Sequence, residues 1–108
     1  MSFVNKLIKA VLEDLKNYAK AKFKKEAPEL YDYINTFLLK NAVDIERWRK
    51  LVKQGKLKSE EFSWLLKSRR DFLELKFLEL AGYYLVNAEK ARDELMEMII
   101  KSALSLIL

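Results

Sequence analysis

Apolar residues recur along the start of this chain at steps of three and four. Phe3, Val4, Leu7, Ile8, Val11, Leu12, Leu15, Tyr18, Ala19 and Phe23 form one continuous stripe, and Asn5, Lys6, Lys9, Glu13, Lys16, Asn17, Lys20 and Lys24 fall outside it. Side chains advance by about 100° per residue on a helix, so the spacing predicts one amphipathic helix from Ser2 to about Lys25. Ser2 suits its N-cap. Pro28 limits its end, because the residue before a proline is pushed out of the α region.

A second helix is expected from Pro28, with Glu29 and Asp32 at its positive end. Its stripe reads Leu30, Tyr33, Ile34, Phe37, Leu38, Asn41, Ile45, Trp48, Val52. Asn41 is the polar member. Such a residue either fixes register in a helix seam or sits at its rim, bonded to backbone or water, and the rim is the plainer expectation. Gly55 suits the left-handed position after a helix end.

The third segment opens at Ser59, a good N-cap followed by Glu60 and Glu61. It then enters Phe72–Val86, FLELKFLELAGYYLV, in which eleven of fifteen residues are apolar. On a helix one apolar line runs Phe62, Leu66, Leu73, Phe77, Leu80, Tyr84. Another runs Trp64, Leu75, Leu78, Gly82, Leu85 on nearly the opposite side. A helix apolar on both sides is covered on both sides, so this stretch is expected to be the central helix. Residues Asn87–Glu94 carry no large apolar side chain and read as exposed. Met96, Ile99, Ile100, Ala103, Leu104 and Ile107 then resume the stripe.

Two architectures follow, both all-α and both placing residues 1–108 in a single domain. In one, the third helix continues from Ser59 to about Leu104, ~45 residues and ~68 Å at 1.5 Å per residue. It would project past the other two, with its last third needing a partner subunit. In the other, the chain breaks near Asn87 and the last segment folds back, giving a four-helix bundle. The missing stop signal favours three long helices with the third continuous.

Composition supports the class. Only two glycines and one proline occur in 108 residues, too few turn-formers for an all-β fold. Neither cysteine nor histidine is present, which removes disulfides, thiol chemistry and the usual general base near pH 7. No glycine-rich phosphate loop occurs. Asp71, Glu74 and Glu89 are the nearest approach to a hard-cation site, and solvated or ion-paired carboxylates are the plainer reading. The expectation is a non-enzyme with no cofactor, no metal and no small-molecule substrate.

The formal net charge is +5. Basic residues gather at the end of the first helix (Lys20, Lys24, Lys25) and at the end of the second (Arg47, Arg49, Lys50, Lys53), with Arg69 and Arg70 further on. With Trp48 and Trp64 nearby they form a candidate nucleic-acid surface. Helix C-termini attract cations in any case, and in an antiparallel pair these two ends lie at opposite poles. The basic first helix and the apolar last segment also suit an anionic membrane surface. No run reaches the ~20 apolar residues of a membrane span, and no secretory leader is evident, so a cytoplasmic location is expected.

The leading reading is a helical interaction or structural module that forms a homo-oligomer or joins a protein partner through apolar faces. The candidate interface is Leu75, Leu78, Gly82 and Leu85 with Met96, Ile99, Ile100, Leu104 and Ile107, pairing across a two-fold axis. Nucleic-acid binding and membrane-surface binding are the two lesser readings.

Overall fold

The structure, a computed structural model, describes residues 2–22, 27–79 and 85–108, with backbone only for residues 18–22, 27, 85 and 86. Its helices are α1 (Phe3–Lys22), α2 (Ala27–Lys40), α3 (Ala42–Lys53), α4 (Ser59–Lys67), α5 (Asp71–Leu78) and α6 (Leu85–Ile107), and no strand occurs among the described residues. The all-α class stands. The three long helices do not: the second is divided at Asn41, and the third is divided into α4, α5 and α6.

α1 starts as the sequence predicts. Ser2 Oγ accepts the Asn5 N–H at 3.2 Å, the bond of an N-cap to the third helical residue. A second orphan donor, the Val4 N–H, finds Glu46 Oε1 at 3.0 Å. The expected stripe faces inward, with Phe3, Val4, Leu7, Val11 and Leu15 all buried. Its last three members, Tyr18, Ala19 and Phe23, lie outside the described side chains.

The α2–α3 stripe is also buried from Leu30 to Trp48, and Val52 packs against its edge. Its helix is interrupted because Asn41 adopts φ −103°, ψ 14°, near the bridge region rather than the helical minimum. The Asn41 side-chain amide donates to the Phe37 carbonyl at 2.9 Å, which the Asn41 N–H also reaches at 3.2 Å. Such back-bonding to the carbonyl four residues earlier bends helices. The asparagine is thus satisfied by backbone, as the plainer expectation had it, but it is buried in the seam rather than at its rim.

α3 ends at a Schellman turn. Gly55 has φ +73°, its N–H reaches Val52 O at 3.0 Å, and the Lys56 N–H reaches Leu51 O at 2.9 Å. At the start of α4 the expected cap is displaced by one residue. Lys58 occupies the cap with extended backbone, Ser59 is already helical, and the Lys58 N–H donates to Glu61 Oε1 at 3.0 Å.

The continuous third helix fails at Ser68–Arg70. There the hydrogen bonds tighten from four-residue to three-residue spacing (Arg69 N to Leu66 O, 3.0 Å; Arg70 N to Lys67 O, 3.1 Å), and Ser68 Oγ donates to Leu65 O at 2.6 Å. This short kink leaves Phe62 and Leu66 on one side, and Leu73 and Phe77 on the other, all fully buried.

α6 runs back along α5 and α4. Two ion pairs fix the direction: Arg92 with Glu74 at 3.4 Å, and Lys67 with Glu97 at 3.5 Å, so residues further along α6 meet residues earlier in α4–α5. α6 begins at Leu85, close to the Asn87 near which the folded-back alternative placed its break, and residues 80–84 before it lie outside the described residues. Ala88 and Ala91 are buried, contrary to the exposed segment expected there. Small side chains let α6 lie close against its neighbours. α6 packs against α1, α3, α4 and α5; of the stretch Phe72–Val86 expected to be central, the same residues 80–84 lie outside the described residues.

Candidate functional site

The predicted interface divides when the chain folds. Met96, Ile99, Ile100 and Ile107 are buried within the chain itself, and Leu104 is half-buried against the same core. The stripe expected to stand bare is therefore covered by α1, α4 and α5. Gly82 and the side chain of Leu85 lie outside the described residues. Leu75 and Leu78 behave differently. They sit on α5 at 60% and 39% exposure, while Leu73 and Phe77 of the same two-turn helix are fully buried. The two-faced character read from the sequence is thus real over α5, with its inner face in the core and its outer face in solvent.

The inner face is anchored by aromatic contacts. Phe77 meets Tyr33 edge-on with ring centroids 6.2 Å apart, and Phe72 lies 6.4 Å from Phe37. Lys40 and Lys76 cover Phe72 at 5.1 and 5.5 Å, shielding one flank of the ring. Burial raises the pKa of the Tyr33 phenol, and the nearby carboxylates Glu79, Glu29 and Asp32 raise it further. Trp64 of α4, on the second apolar line of the sequence, faces outward at 65% exposure.

Of the six basic candidates among the described residues, three are engaged. Arg47 pairs with Asp44 at 3.1 Å, and Arg69 pairs with the other oxygen of Asp44 at 2.9 Å while lying 5.8 Å from the Trp48 ring. Arg49 holds Glu46 at 3.3 Å and covers the Phe3 ring at 5.4 Å, with its Nε buried and without a partner. Lys50, Lys53 and Arg70 are exposed. Glu74 pairs with Arg92, whose guanidinium lies between Glu74 and Asp93. The hydrogen bond to Asp93 raises its pKa. Lys24, Lys25 and the side chain of Lys20 lie outside the described residues. Trp48 is buried beneath Arg69, so it offers no face for a base.

Two surface features were not singled out in the sequence. An outward stripe on α2–α3 exposes Leu39 at 52% and Val43 at 81%, and continues to Arg47 and Lys50. An open groove of about 890 Å³ runs between α1 and α6. Glu13 and Asp14 line its α1 side, Glu94 and Glu97 its α6 side, with Lys101 among them and Met98, Leu104 and Leu106 providing apolar surface. Across it Ser102 Oγ donates to Asp14 Oδ2 at 2.8 Å, tying the two walls together. The signal for the first was Leu39 and Val43, apolar residues four apart outside the main stripe. The second needed the tertiary pairing of α1 with α6.

Among the described residues no group of three or more acidic side chains is placed to hold a metal ion, and no helix is long and apolar enough to cross a membrane. No family model matches the sequence, and no curated protein or solved structure matches it either.

Proposed function

We propose that this chain is a non-enzymatic helical module that works by association, with copies of itself or with a protein partner, through apolar helix faces. One observation carries the reading: α5 exposes Leu75 and Leu78 directly behind a fully buried face of Leu73 and Phe77. A leucine at 60% exposure on a helix already held rigid by core packing is a ready anchor. Binding there orders little that is not already ordered. Trp64 supplies a second anchor of the residue type enriched at interface hot spots. The sequence supports association over catalysis, since it has no histidine and no cysteine.

The test is solution mass by light scattering over a concentration series, comparing the wild type with Leu75→Asp. Helicity should survive the substitution because the side chain faces solvent. A wild type heavier than a monomer, with the mass lowered in Leu75→Asp, supports self-association through this face. A mass unchanged by the substitution removes α5 as the self-association surface. The partner form of the reading is tested by co-purification with wild-type bait against Leu75→Asp bait. A binder retained equally by both would end it.

A further inference from the structure

We propose that the outward stripe of α2–α3 seats in the α1–α6 groove of a second copy of this chain, so that copies join head to tail. This rests on the reading of the chain as an associating module, but uses residues distinct from the α5 face.

Three properties of the two surfaces match. The first is charge. The stripe ends in the exposed Lys50 and in Arg47, which pairs with Asp44 at 3.1 Å yet keeps its side chain 63% exposed. The groove carries the exposed Glu13 on its α1 wall and, on its α6 wall, Glu97, which pairs with Lys67 at 3.5 Å yet stays 70% exposed. In a chain of net charge +5, a groove with acidic walls is the locally opposite surface. The second is apolar content: Leu39 and Val43 are exposed, and Met98, Leu104 and Leu106 line the groove. The third is length. Leu39 to Lys50 covers at most ~17 Å, the straight-helix value, since the chain bends at Asn41, and the α6 part of the groove, Glu94 to Leu106, covers ~18 Å.

The two surfaces share no residue, so a copy that gives its stripe to one neighbour keeps its groove for another. Such a heterologous contact closes into a ring or grows as a chain, unlike a two-fold pairing. The contact is small beside the 1,200–2,000 Å² of standard stable interfaces. It should therefore be reversible, dependent on concentration, and weakened by salt, which screens exposed pairs.

Charge reversal tests it. One variant carries Arg47→Glu with Lys50→Glu, and a second carries Glu13→Lys with Glu97→Lys. A control, Lys6→Glu with Lys90→Glu, makes the same change of charge as the first variant at exposed positions outside both surfaces. Sedimentation velocity at low salt reads the association, and circular dichroism checks helicity. Each of the two variants alone should associate at least about tenfold more weakly than the wild type. Their equimolar mixture should recover the association, because each reversed surface meets its reversed complement. The control should behave as the wild type. The single changes Lys50→Glu and Glu97→Lys replace the double ones if either double variant loses helicity. A wild type monomeric at every concentration at low salt overturns the proposal, as does a mixture no heavier than its components.

Leu75→Asp, measured alongside, separates the two ideas. If it alone abolishes association and charge reversal does nothing, the α5 face stands and the head-to-tail contact is overturned. If charge reversal and its complementation act while Leu75→Asp associates normally, the head-to-tail contact stands and the α5 face falls as the self-association surface.

Discussion

The Val4 N–H donates to Glu46 Oε1 at 3.0 Å across 42 positions of sequence. A carboxylate on α3 thereby completes the first turn of α1, which has no acidic residue of its own there. The second oxygen of Glu46 accepts from Arg49 at 3.3 Å, and Arg49 covers Phe3, one residue before Val4. Glu46 thus joins the start of α1 to an ion pair on α3 whose arginine covers Phe3.

Removing that carboxylate should cost about 1–2 kcal/mol, the range for a lost helix cap. Glu46→Ala is expected to lower the urea midpoint with the slope of the transition unchanged. Glu46→Gln, which keeps an acceptor but loses the charge, should lose about half as much, since bonds to charged groups are the stronger ones. A Glu46→Ala variant as stable as the parent would show that the contact contributes nothing net.

Gly55 gives a cleaner case. Its φ of +73° lies in the left-handed region, and a Cβ added there would meet nothing within 4 Å. The cost of Gly55→Ala is therefore conformational alone, about 1–2 kcal/mol. Gly55→Asn should cost less, because asparagine tolerates that region through local hydrogen bonds. Urea midpoints of the three proteins should fall in the order Gly, Asn, Ala. An alanine variant equal to the parent would mean that the turn re-forms without a positive φ.

What the sequence made legible follows from the range of each interaction. The buried stripes of α1 and α2–α3, the Ser2 cap and the Gly55 stop are local, set by spacing or by one residue's conformational freedom. The two faces of α5 were legible for the same reason. The kink at Ser68–Arg70 was not, because no glycine or proline marks it and the packing of Phe62, Leu66, Leu73 and Phe77 selects it. Ala88 and Ala91 were read as exposed for want of bulk, whereas small size is what a close helix approach uses. The Glu46 cap and the α1–α6 groove join distant residues, and no periodicity reports such pairs.

Tyr33 contributes a dependence of stability on alkaline pH. Burial raises its pKa above the ordinary value near 10, and Glu79, Glu29 and Asp32 add to the shift. Between the unfolded and folded values the unfolded chain has lost the phenolic proton while the folded chain keeps it. Folding then takes up a proton, so the contribution to stability is complete below about pH 10 and declines as pH rises through the folded value. Tyr33→Phe has no proton to lose. The wild type minus Tyr33→Phe difference in unfolding free energy should be flat from pH 7 to about 10, then fall. The other tyrosines titrate in both proteins and cancel from the difference. Urea titrations of the two proteins at matched pH provide the measurement. A difference that stays constant above pH 10 would mean that the folded phenol ionises as freely as the unfolded one, and that the outer end of Tyr33 reaches water beside α5.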